Sequence, residues 1–166
     1  MTSSVERDEA FMREALALAE KAYELGEAPV GCVIVRDGEI IGRGYNLRES
    51  SENPLTHAEI IAINDASAKV KSFRLVDCEL FVTLEPCPMC AGACINSRVE
   101  RVVFGAHDPK AGSVGSVINL FDLPYNHKPD ITSGILAEEC SSILSRFFLT
   151  LRERNKQRKK AKKEEV

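Results

Sequence analysis

Within residues 78–106, CELFVTLEPCPMCAGACINSRVERVVFGA, a strand-like run is followed by a short alanine-rich helical stretch and then by a second strand-like run. This order constrains the fold more than any other feature. Two strands joined through a helix form a parallel crossover, which is right-handed in nearly all cases and needs a sheet covered by helices. The helical stretch opens on Pro-Cys-Pro-Met-Cys, so Cys87 and Cys90 lie in its first turn, where the positive end of the helix dipole favours thiolates.

The remaining segments extend this unit. Residues 8–25 carry Phe11, Ala15, Leu18, Ala22 and Leu25 at spacings of three and four before Gly26, which predicts an amphipathic helix. Residues 30–36 and 39–45 read as strands joined at Asp37-Gly38, a pair suited to a tight hairpin turn. A polar loop spans 46–55, and helical spacing returns from Thr56 to about Lys69 through Ile60, Ile61, Ile63 and Ala66. DPKAGSVGS reads as loop, VINLF as a short helical piece and DITSG as an edge strand. A long helix runs from Ala137 into the C-terminus. The expected fold is α/β, with a mixed sheet of about five strands and helices on both faces.

The 166 residues suit one domain, placed at 1–151, with a basic helical tail at 152–166. The tail holds eight Lys or Arg against three Glu, whereas the rest holds 14 basic and 22 acidic residues. Such a tail is either a solvated helix end or a nucleic-acid contact. No apolar run approaches the roughly 20 residues of a membrane helix, and the first residues lack the features of a secretory signal. Six cysteines without such a signal fit a reducing, cytoplasmic setting, with thiols packed as small hydrophobes or bound to metal.

The cysteine pair alone admits a redox couple, an iron–sulfur site, or a structural zinc site completed by Cys94. A catalytic zinc site takes three protein ligands and leaves one position to water, so one histidine is sought. Three exist: His107 and His127 sit in or beside loops, and His57 opens the second helix in THAEIIAIN. If the two helices lie side by side, His57, Cys87 and Cys90 meet around one Zn2+. Glu59 is two residues further on, about 200° around a regular helix, but in a first turn it can still face a metal beyond the helix end. It has a competing role, since Thr56 and Glu59 match a capping box.

His57, Glu59 and Pro86-Cys87-x-x-Cys90, with 26 residues between Glu59 and Pro86, resemble the zinc-dependent nucleobase deaminase signature. Nearly the whole chain is similar to the bacterial tRNA-specific adenosine deaminases, through APVGCVIVRDGEIIGRGYN, HAEIIAIN, LFVTLEPCPMCAGACINSRVERVVFGAHDPKAGSVGS and GILAEECSSILSRFF. The resemblance implies a three-layer α/β/α cytidine-deaminase-like fold and a homodimer with one zinc per subunit. It also implies conversion of the wobble adenosine of a tRNA anticodon stem-loop to inosine, by attack of zinc-bound hydroxide at C6 with loss of ammonia. His57, Cys87 and Cys90 would hold the metal and Glu59 would shuttle protons. Asn46 would meet the purine edge, Val30 line the base pocket, backbone near Leu84 hold the amine, and Asp108 face the ribose. Phe147 and Phe148 would offer a ring to a splayed base, and Arg152 with the following cations would meet phosphates. The rival readings are a free-base or nucleoside deaminase acting on guanine, cytosine or cytidine, and a noncatalytic zinc-stabilised RNA-binding module.

Overall fold

The computed structural model describes residues 3–165; Met1, Thr2 and Val166, which the expected domain and tail include, lie outside the described residues. Helix α1 spans Ser4–Glu24, strands β1 and β2 span Gly31–Arg36 and Glu39–Tyr45, and α2 spans Ala58–Val70. The crossover unit follows as β3 (Cys78–Leu84), α3 (Pro88–Ser97) and β4 (Arg101–Ala106). A 3-10 turn at Leu120–Asp122, strand β5 (Asp130–Ser133) and helix α4 (Ala137–Glu164) complete the chain.

The sheet runs β2-β1-β3-β4-β5. Strand β1 is antiparallel to both β2 and β3, whereas β3, β4 and β5 are parallel, so the sheet is mixed and the crossover is parallel as the segment order requires. Side chains alternate between two cores, following the strand period of two. Ile34, Leu80, Val82 and Phe104 face α2 and α3. Val33, Val35, Phe81 and Val103 face α1 and α4. Every central strand is thus buried on both faces, giving the three-layer α/β/α arrangement.

Two element limits differ from the sequence reading for local reasons. Helix α1 begins at Ser4 rather than Asp8, because Ser3 and Glu6 form a reciprocal capping box that adds a polar turn. Only the end of VINLF is helical: Asn119 caps the short turn through the Phe121 amide, while Val117 and Ile118 stay exposed in a tight loop. On the α1 side, Arg101 bonds Asp8 and Glu79 while Arg7 also bonds Glu79, tying the helix to β3 and β4. Desolvation would raise the Glu79 carboxyl, but hydrogen bonds from the two arginines hold it below its ordinary value.

Helix α2 packs in close backbone contact with β2. A side-chain carbon on Gly44 would overlap the Ala58 carbonyl and reach 2.7 Å from the Ala62 amide, and one on Gly42 would come within 2.8 Å of the Ala66 methyl. With Ala58, Ala62 and Ala66 on its facing stripe, α2 lies with its backbone almost directly on the strand. The register of its N-terminus over the sheet edge is therefore set by atoms that have little room to yield. Gly44→Val is expected to cost about 2–3 kcal/mol through overpacking. Urea unfolding should show a lower midpoint at unchanged slope; an unmoved midpoint would contradict this seating.

Candidate active site

The C-terminal ends of β2, β3 and β4 and the start of β1 share one edge of the sheet, as the pairings Gly31↔Tyr45, Cys32↔Val82 and Leu84↔Ala106 require. The loop after β2 leads to the N-terminus of α2, and the turn after β3 leads directly into α3. Both helix starts therefore arrive at this edge, the usual ligand side of such sheets. His57 is the N-cap of α2 and Cys87 the N-cap of α3, with Pro88 pre-set for the first helical position.

His57 Nδ1 lies 3.6 Å from the sulfurs of both Cys87 and Cys90. All three donor atoms fall within 4.8 Å of one another, the one such group of three or more among the described residues. Zinc bonds of about 2.3 Å to sulfur and about 2.0 Å to nitrogen at tetrahedral angles place N and S about 3.5 Å apart, so this donor set fits the ion. Cys94 is not in the group; it is buried in the core between α3 and the sheet, where desolvation pushes its thiol up. No fourth sulfur closes the site, which removes the structural Cys3His reading. The other histidines are elsewhere engaged: His127 Nε2 bonds the Val99 carbonyl at 2.7 Å and His107 Nδ1 contacts Glu85.

The donors are electrostatically unequal. Hydrogen bonding to Cys90, and next to His57, outweighs desolvation and pulls the Cys87 thiol down to about 4. His57 is raised, chiefly by its bond with Cys87, and Cys90 is pushed up by the same Cys87 thiolate and by burial. Metal binding needs a neutral imidazole and ionised sulfurs, so it is accompanied by proton release from this group.

A cavity of ≈ 190 Å³ opens beside this group. That is smaller than the roughly 300–1,000 Å³ of drug-sized pockets, so it suits one heterocycle. Val30, Asn46, His57, Glu59, Leu84, Cys87 and Asp108, all singled out in the sequence, line it, with Ala28, Arg48, Glu85 and Ala111, which were not. Asn46 and Asp108 each do local work as well. Asn46 donates to the Ala28 carbonyl and accepts from the Arg48 amide, and Asp108 accepts from the Lys110 and Ala111 amides.

Three carboxylates line the cavity, Glu59, Glu85 and Asp108, and the two glutamates differ in freedom. Glu59 is buried, at 4% exposure, and desolvation raises its pKa. The capping box open to it in the sequence does not form: α2 starts at Ala58 without a side-chain cap, and the Thr56 hydroxyl bonds the Asn53 carbonyl and pairs with Ser51. Glu85 instead accepts from the amides of Asp108, Val114 and Ser116, from the Ser116 hydroxyl and from His107. Those donors saturate its lone pairs and hold its pKa down against desolvation. Glu85 is therefore tied to the loop at 108–116, whereas Glu59 meets its own amide and the Cys90 thiol.

Beyond Ala28, Asn46 and Arg48 the cavity meets a groove lined by Glu27, Phe147, Phe148 and Leu151. Phe147 packs edge-on against Tyr23 and Phe148, while Phe148 is 43% exposed. Glu27, buried to 1% exposure, accepts from the amides of Glu49 and Ser50 and fixes the loop that carries Arg48. Arg152 lies exposed on α4 just past this groove and outside the cavity lining.

The model of the cytidine and deoxycytidylate deaminase zinc-binding region matches residues 5–106. A tRNA-specific adenosine deaminase of Bacillus subtilis (strain 168) is 49% identical over 155 residues, spanning 93% of this chain and 96% of that protein. A solved structure from work on A-to-I editing by tRNA:A34 deaminases at the wobble position of transfer RNA superposes with a TM-score of 0.79 at 41% identity, covering 81% of this chain and 99% of that one. A guanine deaminase from Nitrosomonas europaea gives a TM-score of 0.71 at 25% identity, covering 89% and 85%. With its donor set, open cavity and layer order on one edge of the sheet, the chain belongs to the zinc-binding cytidine and deoxycytidylate deaminase family, on the branch of the tRNA-specific adenosine deaminases.

Proposed function

We propose that the protein is a zinc-dependent tRNA adenosine deaminase that hydrolyses the wobble adenosine of an anticodon to inosine and ammonia. One observation carries this reading: a three-donor His/Cys/Cys group faces a base-sized cavity in which Glu59 is buried and free of the capping role. The likeness to tRNA-specific relatives at 49% identity, against 25% to the guanine deaminase, favours tRNA over a free base.

His57 Nδ1 and the sulfurs of Cys87 and Cys90 would hold zinc, which would supply the Lewis acidity that lowers the pKa of a water from about 16 toward about 7. The residues do the rest. Glu59 takes a proton from the attacking water and delivers it to the purine N1 as the oxygen bonds to C6. It then carries the water's second proton to the exocyclic amine, the C6–N6 bond breaks, and ammonia leaves with the ring oxidation state unchanged. Asn46 meets the purine edge, Val30 and the Leu84 backbone border the base, and Asp108 faces the ribose. A base in an anticodon loop is already partly unstacked, so bringing it into the cavity costs little. Phe148 offers an exposed ring to a neighbouring base, with Phe147 behind it, and Arg152 leads the cations of α4 toward phosphates.

We also place the chain in the cytoplasm, where its free cysteines stay reduced. Among the described residues no helix is long and apolar enough to cross a membrane. A homodimer is proposed through the α2–α3 side, where Ile60, Ile63, Ala93 and the 67% exposed Phe73 line an open groove. Sedimentation of the zinc-loaded protein should give twice the monomer mass, and Phe73→Glu should reduce it; a monomer at micromolar concentration would refute the dimer.

Glu59→Gln should keep zinc content and tRNA affinity while lowering the rate of inosine formation by about 10²–10⁴-fold. Turnover close to wild type would remove Glu59 from the proton path. Release of ammonia from guanine with none from tRNA would replace the proposed substrate with a free base. Ending the chain after Leu151 should weaken tRNA binding and flatten its salt dependence, by about 0.7 in log–log slope for each single-strand phosphate that the tail neutralises. An unchanged slope would mean that the tail cations do not touch phosphate.

A further inference from the structure

Glu85 presents an unusual arrangement: a carboxylate fully enclosed in protein, one residue before the Pro86-Cys87 turn, with an entire loop folded around it. Oε1 accepts from the Asp108 amide at 3.1 Å and from His107 Nδ1 at 3.2 Å, and Oε2 from the amides of Val114 and Ser116 at 3.1 and 3.0 Å. The Ser116 hydroxyl donates as well. Gly112 has no side chain where the carboxylate sits: an added Cβ would land on Oε2 and on the Asp108 carbonyl. The Ser113 amide also bonds the Pro86 carbonyl at 2.8 Å, a second tie between the same two segments. The loop held in this way supplies Asp108 and Ala111 to the cavity wall.

We propose that Glu85 is a positioning residue, fixing the distance between the Cys87 turn and the Asp108–Ala111 wall so that the substrate ribose meets Asp108 while the base faces Glu59. Saturation by five donors removes it from proton transfer and makes it a rigid hub. Its replacement by an apolar group would strand three backbone amides in a buried site, and by an amide would set an N–H donor against them. This proposal rests on the tRNA deaminase reading for its kinetic consequence, but the anchoring itself is measurable without turnover.

In zinc-loaded Glu85→Gln, zinc per chain should match wild type and amide exchange at Val114 and Ser116 should accelerate by about tenfold or more. The kcat/KM for an anticodon stem-loop should fall by about 10²-fold, the scale of a 1 Å misplacement, with KM rising. A purely structural loss would scale kcat with the folded fraction and leave KM in place. The double variant Glu85→Gln/Asp108→Ala should be no slower than the slower single variant, because both remove the same interaction with the ribose. Ser116→Ala, which removes a donor from an exposed position, should move exchange and KM in the same direction by less, and keeps the test open if Glu85→Gln does not fold. Unchanged exchange at the loop amides, strict additivity with Asp108→Ala, or loss of zinc in step with activity would each overturn the positioning role. Failure of wild type to form inosine would instead refute the substrate reading, leaving the exchange result to decide whether Glu85 anchors the loop.

Discussion

The site depends on how closely α2 can approach β2. Metal ligands from separate elements must agree to a few tenths of an ångström, which a helix riding on large, deformable side chains does not provide. Here the helix backbone rests on Gly42 and Gly44, through the alanines at 58, 62 and 66, so its height over the sheet is limited by backbone atoms. His57 is the residue before Ala58 and inherits that precision. Its partner, Cys87, follows β3 after two residues and is referenced to the same sheet. The donor triad is therefore defined by two rigid bodies sharing one frame, without a flexible loop between frame and ligand.

Around that frame, buried carboxylates have divided roles. Glu27 and Glu85 each accept backbone amides from a loop on one side of the cavity, whereas Glu59 meets its own amide and the Cys90 thiol. The chemistry of the residue type does not distinguish the three. What distinguishes them is which donors are aimed at each: loop amides fix Glu27 and Glu85 in place, and the five donors on Glu85 also hold its carboxyl below its ordinary value against desolvation. Loops are the parts of a fold least fixed by packing, and anchoring them on buried acids gives a polar cavity wall some of the rigidity of the strands behind it.

The layers and the donor triad were legible in the sequence because they rest on short-range periodicity and on residues with few alternative uses. Near-continuous apolar runs in VGCVIVR and ELFVTL mark strands buried on both faces, and a Pro-Cys-x-x-Cys at a helix start has a narrow range of chemistry. The pairing of β5 with β4, and the seating of α2 on glycines, depend on contacts between segments far apart in the chain, on which local spacing is silent. Glu85 was hidden for a related reason. It stands inside LEPC beside the more telling Cys87, and its role is written in amides of residues 108–116, which any sequence would supply. Gly112 was the one available signal, a position where a side chain would collide with that carboxylate. The Thr56–Glu59 capping box misled in the opposite sense: Thr56 is used by the preceding loop, so His57 takes the cap position without capping through its side chain.

Charge is distributed to match this division between frame and surface. The body is acidic, and a small part of that acidity, at Asp8, Glu79, Glu27 and Glu85, is spent internally on Arg101 and Arg7 and on loop amides. The cations of α4 lie at the other extreme, exposed along a helix that leaves the body beyond Leu151. A polyanion approaching at long range meets an acidic body and one basic arm, so encounter is biased toward orientations that bring phosphates to the arm. The groove of Phe147, Phe148 and Leu151 lies between that arm and the cavity and shares Asn46 and Arg48 with it. On the proposed function, a strand captured on α4 would have a continuous path to Glu59, with long-range attraction handing over to aromatic contact and then to hydrogen bonding as distance falls. On that reading, tight binding would be confined to a loop able to extrude a base, because a duplex held on the arm would satisfy only the first of the three interactions.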